Sequence, residues 1–197
     1  MTGRSYPRHI ALDGGAVDIR PMVAADQAAV LAFAASLPQH DLLFLPRDIS
    51  RPKVLAAWIR EIEGGGMASL VALRDDRIVG CGALACDELS WSPHVGELRV
   101  LIDPATRGHG VGRALTQEIF ALALEKGLEK VTAQMTVDQT AAIAVFEGLG
   151  FKAEALLRGH VKDRSGRRHD IVVLGHEVAD VLARMEAYGV VEATSGK

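Results

Sequence analysis

The sequence predicts an α/β (α+β) fold, a single domain with a mixed central β-sheet flanked by helices. Three observations predict it. Strand-like and helix-like segments alternate along most of the chain. Two apolar runs, 69–73 and 78–86, are joined by Arg74-Asp75-Asp76-Arg77, the pattern of an antiparallel hairpin. A third run, 95–102, leads directly into a glycine-rich turn and then a helix, so a strand, a loop and a helix follow one another without a linker. The resulting order is β-α-α-β-β-β-α-β-α-β-β, followed by a C-terminal helix.

Each element has a local reason. Residues 1–16 read as an arm with a short strand at 9–12 before the turn Asp13-Gly14-Gly15. Residues 17–22 read as the first strand of the domain. Asp26 is placed to cap a helix whose apolar residues Val30, Phe33, Ala34 and Leu37 recur at helical spacing and which ends before Pro38. Ser50 is placed to cap a second, in which Val54, Leu55, Trp58, Ile59 and Ile62 form one stripe and Gly64 to Gly66 stop it. After the hairpin and the strand 95–102 come a helix over 111–126, a strand over 131–137 and a helix over 139–149 closed by Gly150. Strands follow at 151–157, 159–162 and 169–175, the last two turning at Asp163-Arg164-Ser165-Gly166. The final helix carries Val178, Val181, Leu182 and Met185, an apolar stripe that the domain or a second copy must cover, which predicts a homodimer. The expected partition is 1–16 arm, 17–176 domain and 177–197 helix and tail.

Composition narrows the function. The 197 residues match one domain of about 100–200 residues, and 49% apolar with 24% charged is ordinary globular usage. A net charge of -3, from 22 basic and 25 acidic residues, gives no reason to expect nucleic acid. The polar start MTGRSYPRH and the absence of an 18-residue apolar run predict no membrane association and a cytoplasmic location. Cys81 and Cys86 lie five apart, on opposite faces of a strand, so they are expected as unbridged buried thiols. No Cys/His spacing suggests zinc, and no metal is expected.

The chemistry starts at "PATRGHGVG", residues 104–112. A strand, a bare turn and a helix start bring free backbone N–H groups and the positive end of a helix dipole to one point. Gly108, Gly110 and Gly112 let a ligand reach the backbone, and Arg107 and Arg113 add charge. The suited ligand is a phosphate or pyrophosphate. Gly-Lys-Ser/Thr and G-x-G-x-x-G are both absent, which leaves R-x-x-G-x-G.

That pattern, Arg107-Gly108-His109-Gly110-Val111-Gly112, resembles the pyrophosphate loop of the GNAT superfamily of acyl-CoA-dependent N-acyltransferases. "LRVLIDPATRGHGVGRAL" is similar to the family's strand-loop-helix core, and "DQTAAIAVFEGLGF" to its second cofactor motif. "VDIRPM" and "HVKDRSGRRHDIVVL" also fit, so the resemblance covers roughly residues 17–176. It implies transfer of an acetyl group from acetyl-CoA to a primary amine of a small molecule or peptide by direct attack, with acetyl-CoA as donor and no metal. Val100, Leu101 and Ile102 would bind the pantetheine arm as an added strand, and Gly108 to Arg113 the pyrophosphate. The central strands would part at a bulge to admit the thioester.

Glu97, near the start of the pantetheine strand, would be the base; otherwise it is a solvated carboxylate at a strand end. His160, His169 and Asp170 would border the acceptor pocket or stay at the surface, and His94 and His109 are loop residues. The second motif of the family carries an asparagine and, seven residues on, a tyrosine; here Gln139 and Phe146 stand there. Gln139 can still hydrogen-bond the donor. Phe146 cannot protonate a leaving thiolate, although its ring can pack on the pantetheine or belong to the core. The alternative function is therefore an acyl-CoA-binding module without catalysis.

Overall fold

A computed structural model describes residues 4–178. Eight strands form one sheet: β1 (Arg8–Ile10), β2 (Val17–Pro21), β3 (Met67–Arg74), β4 (Arg77–Ala85), β5 (Val95–Ile102), β6 (Lys130–Thr136), β7 (Lys152–Lys162) and β8 (Arg168–Glu177), in the order β1-β2-β3-β4-β5-β6-β8-β7. β5 and β6 are parallel and every other neighbouring pair is antiparallel. Among the described residues four α-helices accompany the sheet: α1 (Gln27–Ser36), α2 (Pro52–Glu63), α3 (Val111–Glu125) and α4 (Thr140–Glu147). The predicted mixed sheet with flanking helices is therefore observed.

Alternation along the strands divides the core between the two faces. Leu70, Ala72, Leu98 and the α3 residues Leu115 and Ile119 share one cluster, while Val71, Cys81 and Leu101 join Phe33, Leu55 and Ile59 of α1 and α2 in another. Gly82 lets α3 settle on β4, because a Cβ there would stand 2.1 Å from Ile119 Cδ1. Asp75 and Asp76 turn the β3–β4 hairpin at φ 49° and 58°, the conformation that a two-residue hairpin loop requires. A register shift lies opposite Ala72/Leu73 and leaves Val79 as the extra residue of β4.

Some expectations are corrected. The strands predicted at 151–157 and 159–162 are one strand, β7, whose register with β8 shifts between Leu157 and Val161, around Gly159 at φ 55°. Glycine bends this strand without ending it. Ser50 does not cap α2. Its hydroxyl turns to Asp48, Arg51 holds the cap position, and Pro52 starts the helix, where its missing N–H costs nothing. Asp26 likewise gives α1 no side-chain cap: Ala24–Asp26 forms a 3-10 turn, and the Asp26 carboxylate accepts from the Val23 amide and from Arg20. The first strand, predicted at 9–12, is Arg8–Ile10 and extends the sheet beside β2. Arg4 anchors this segment through its Nη1, which donates to both carboxylate oxygens of the buried Glu118 of α3, at 2.8 and 2.7 Å. Val178 is buried, whereas Val181, Leu182 and Met185, on which the homodimer expectation rests, lie outside the described residues.

Both cysteines are free; Cys81 is buried as expected, whereas Cys86 is only half-buried. Burial pushes the Cys81 thiol up to about 12 and raises that of Cys86 as well, so neither is a reactive thiolate at neutral pH.

Arg20 ties the end of β2 to the entry of α1 through two 2.8 Å bonds to Asp26, whose carboxyl is thereby held below its usual range. A depressed folded-state pKa contributes stability above the unfolded value, near 3.9, that disappears as pH falls through the folded value. Asp26→Asn should therefore lower the unfolding free energy at pH 7 by about 1.5–3 kcal/mol. Denaturant titrations should find this difference shrinking below about pH 4, and a pH-independent difference would contradict the assignment.

Candidate active site

The site begins where two neighbouring strands part. β5 pairs with β6 at Val95, Gly96, Glu97 and Leu98, against Lys130 to Ala133. Beyond Leu98 the pairing stops, although β6 continues along β8 to Thr136 and β5 continues along β4 to Ile102. The edge of Arg99–Ile102 that faces away from β4 is therefore left without a strand partner. The register shift lies not in β5 but one strand away, at Val79 of β4, whose carbonyl accepts from the Asp103 amide at 2.9 Å.

A cleft of about 600 Å³ fills this gap, lined by Val100, Leu101 and Ile102 on one side and by Gln139, Ala142 and Phe146 on the other. Its far end is the glycine loop. Gly108 and Gly110 hold φ of 78° and 84°, backbone that side-chain-bearing residues rarely adopt. Gly110 is the N-cap residue of the 15-residue α3, and a Cβ at Gly108 would meet no atom within 4 Å, so the loop presents open backbone at a helix N-terminus. Gly112, Arg113 and Thr116 line the cleft, while Val111 is buried in the core and His109 is exposed. Backbone donors, a helix dipole and an unpartnered strand edge are the groups that a pyrophosphate carrying an amide-containing arm requires, so acetyl-CoA fits the residues present.

Arg107 is already engaged. Its guanidinium pairs with Asp41, in the turn Gln39–Leu42 after α1, and donates to the Ile102 carbonyl at 3.1 Å. Asp41 and His40 thereby stand over the cleft, which they line. Gln139 accepts the Thr136 amide on its side-chain oxygen at 3.1 Å, leaving its amide nitrogen to donate. Phe146 is both core and lining: its ring packs edge-on against Phe151 at 5.0 Å and also borders the cleft.

Glu97 lies on the other face of β5. Its carboxylate receives two 3.0 Å bonds from Arg99, from Nε and Nη2, and both side chains are partly buried. A strand places residues two apart on the same face, so this partner was legible in the sequence, where Arg99 went unnoticed. Of the late-strand candidates, His160 is exposed, Asp170 accepts the Gly159 amide at 2.7 Å, and His169 bonds Asp163 at 2.9 Å. His94 is exposed.

The structure also assembles a group the sequence did not indicate. His40 Nε2 lies 3.0 Å from Asp138 Oδ2 and 3.2 Å from Thr136 Oγ1, and the His40 and His169 rings meet edge-on at 5.1 Å. Burial works against the charge of Asp138, but hydrogen bonds from Thr136 and His40 outweigh it and hold its carboxyl below the usual range. One ligating atom from each of His40, Asp138 and His169 lies within 4.8 Å of the others, a donor set that could hold a divalent metal. No local motif signals it, because His40 and Asp138 are 98 residues apart.

A model of the acetyltransferase (GNAT) family matches residues 32–151. The chain is 44% identical over 66 residues to a mycothiol acetyltransferase of Salinispora arenicola, a stretch covering 32% of this chain and 22% of that protein. The chain spans about half or less of the curated relatives it matches. Among solved structures, a ribosomal-protein-alanine N-acetyltransferase of Brucella melitensis aligns with TM-score 0.72 at 24% identity, over 81% of this chain and 99% of that one. A GNAT superfamily phosphinothricin acetyltransferase of Sinorhizobium meliloti, solved in complex with acetyl-CoA, aligns with TM-score 0.71 at 20% identity, over 85% and 89%.

Because a ligand that binds the folded state raises its melting temperature, acetyl-CoA should stabilise the wild type by about 2.7 kcal/mol at 100 times its Kd. Gly110→Val, which forces a branched side chain into the left-handed conformation, should abolish that rise. Gly127→Ala, at the other end of α3 with φ 70° and open space around its Cα, should lower the melting temperature yet keep the rise. Equal acetyl-CoA shifts in the wild type and Gly110→Val would remove the loop from the site.

Proposed function

Because the chain belongs to the GNAT acetyltransferase family, we propose that it transfers the acetyl group of acetyl-CoA to a primary amine, on a small molecule or a peptide, by direct attack. The observation that carries this reading is the junction of an unpartnered strand edge, Arg99–Ile102, with the open glycine loop in one cleft. The acetyl-CoA complex of the Sinorhizobium meliloti relative supports the choice of donor. In this reading residues 17–176 form the transferase domain, and cytoplasmic residence is part of the proposal. Among the described residues no helix is long and apolar enough to cross a membrane.

Bound in the cleft, acetyl-CoA supplies a thioester, whose carbonyl carbon accepts the amine and whose thiolate leaves. The chain supplies position and charge. Backbone groups of Val100, Leu101 and Ile102 hold the donor arm along β5, and the N–H groups of Gly108 to Arg113 hold the pyrophosphate, assisted by Arg107 and Arg113. Gln139 donates from its free amide nitrogen. Strand N–H groups turned into the gap polarise the carbonyl. Glu97, kept in place by Arg99, accepts the proton that the attacking amine must lose, directly or through water. Holding amine and thioester together accounts for most of the rate.

The alternative, an acyl-CoA-binding module without catalysis, draws on Phe146, which has no proton to give, and on the engagement of Glu97 by Arg99. Release of free thiol from acetyl-CoA across a panel of amines separates the two. The transferase reading requires release that depends on an acceptor, and its absence with every amine despite acetyl-CoA binding supports the module.

Steady-state kinetics with the best acceptor test the roles. Glu97→Gln should lower kcat by about 10²–10⁴-fold at neutral pH, the usual contribution of a general base, and leave acetyl-CoA affinity nearly unchanged. An unchanged kcat would remove Glu97 from the reaction. Phe146→Tyr should raise kcat less than about tenfold, below a full general-acid contribution. A silent wild type rescued by the tyrosine would establish that proton donation had been lost.

A further inference from the structure

A second cavity, of about 250 Å³, opens on the α1/α2 face of the sheet. Small residues of β4, Ala83 and Ala85 among them, make its floor, Trp58 of α2 borders it, and Arg99 and Leu101 of β5 close one side. Its size falls below the roughly 300–1,000 Å³ of sites for drug-sized ligands. Leu101 lines both this cavity and the donor cleft, on the stretch of β5 beyond its last pair with β6.

Resting on the acetyltransferase reading, we propose that this cavity is the acceptor subsite and that the acceptor is a small amino acid with an apolar side chain. The charge arrangement selects it. Ala85 and Ala83, which line the cavity, stand opposite Glu97 and Arg99, so the ion pair lies on this face of the sheet, and Arg99 itself lines the cavity together with Arg47 and Glu61. Arg99 spends Nε and one Nη2 hydrogen on Glu97, and among the described residues its Nη1 makes no hydrogen bond. The outer edge of the guanidinium is therefore open to a carboxylate in bidentate geometry. Glu97 holds the guanidinium through both carboxylate oxygens, and each oxygen keeps a further lone pair for the ammonium of the same molecule. A zwitterion satisfies both ends of the pair, while its side chain meets Trp58 and Leu45. A simple amine would leave the free edge of Arg99 desolvated and unpaired, and unpaired buried polar groups are what give a site strong discrimination.

In the reaction the ammonium loses one proton to Glu97, its nitrogen forms a bond to the acetyl carbonyl carbon, and the nitrogen then gives up a second proton to solvent. The carbon–sulfur bond breaks and the thiolate takes up a proton from solvent. The sum is amide, free thiol and one released proton.

The experiment compares L-leucine, L-leucinamide and isopentylamine as acceptors for wild type, Arg99→Gln and Arg99→Lys, alongside calorimetry of the three compounds on the CoA-loaded protein. The wild type should prefer leucine by about 100-fold or more in kcat/KM, matching the loss of a charge-assisted pair of hydrogen bonds. Arg99→Gln should reduce this ratio to within about tenfold, with Arg99→Lys between. The ratio is diagnostic because any disturbance of Glu97 affects all three compounds alike, and a retained acetyl-CoA thermal shift shows that the variants are folded. Equal use of the three by wild type, or an unchanged ratio in Arg99→Gln, would overturn the subsite and leave acetyl transfer standing. If no amine is acetylated, the transferase reading fails, and calorimetry decides the subsite. Leucine binding that the amine lacks and Arg99→Gln loses would uphold it, and equal or absent binding would overturn it.

Discussion

The parting of β5 from β6 after Leu98 is the constraint on which the rest of the molecule depends. A strand inside a sheet normally satisfies its backbone on both sides, and unpaired backbone polar groups are costly unless something else meets them. Here β5 keeps β4 along its whole second half while its other edge faces a cleft. That edge runs into the glycine loop and the start of α3, so an arm that pairs with the strand and an anion that caps the helix are aligned by covalent connection.

The two faces of β5 then serve two different tasks. Val100 and Ile102 point to the α3 side, whereas Glu97, Arg99 and Leu101 point to the α1/α2 side, a separation that follows from the two-residue period of a strand. Small residues on β4 leave room in front of Arg99, and the glycine at position 82 lets α3 approach the opposite face. The turn after α1 closes the arrangement from above: Asp41 pairs with Arg107, and His40 reaches Thr136 at the end of β6 and Asp138 just beyond it. One segment thus touches both ends of the gap.

What could be read in the chain was what is local. The hairpin at Asp75-Asp76, the glycine loop and the stripe of α2 each declare themselves within a dozen residues, and each is present. Gly159 misled, because a glycine that bends a strand and a glycine that ends one look alike in sequence. Asp26 and Ser50 misled for a related reason. Both are good helix caps, but the Asp26 carboxylate found Arg20 and the Ser50 hydroxyl found Asp48. Asp41 on Arg107 and Asp138 on His40 were out of reach, separated by 66 and 98 residues, since only the fold brings them together. Arg99 lay within reach, as its partner Glu97 is on the same face of the same strand.

Amide hydrogen exchange, followed residue by residue with and without saturating acetyl-CoA, tests the central claim most directly. If the strand edge and the loop together form the donor site, exchange should slow at residues 100–102 and 108–113 and stay unchanged in α2. Slowing confined to other segments, with 100–113 unaffected, would contradict the account.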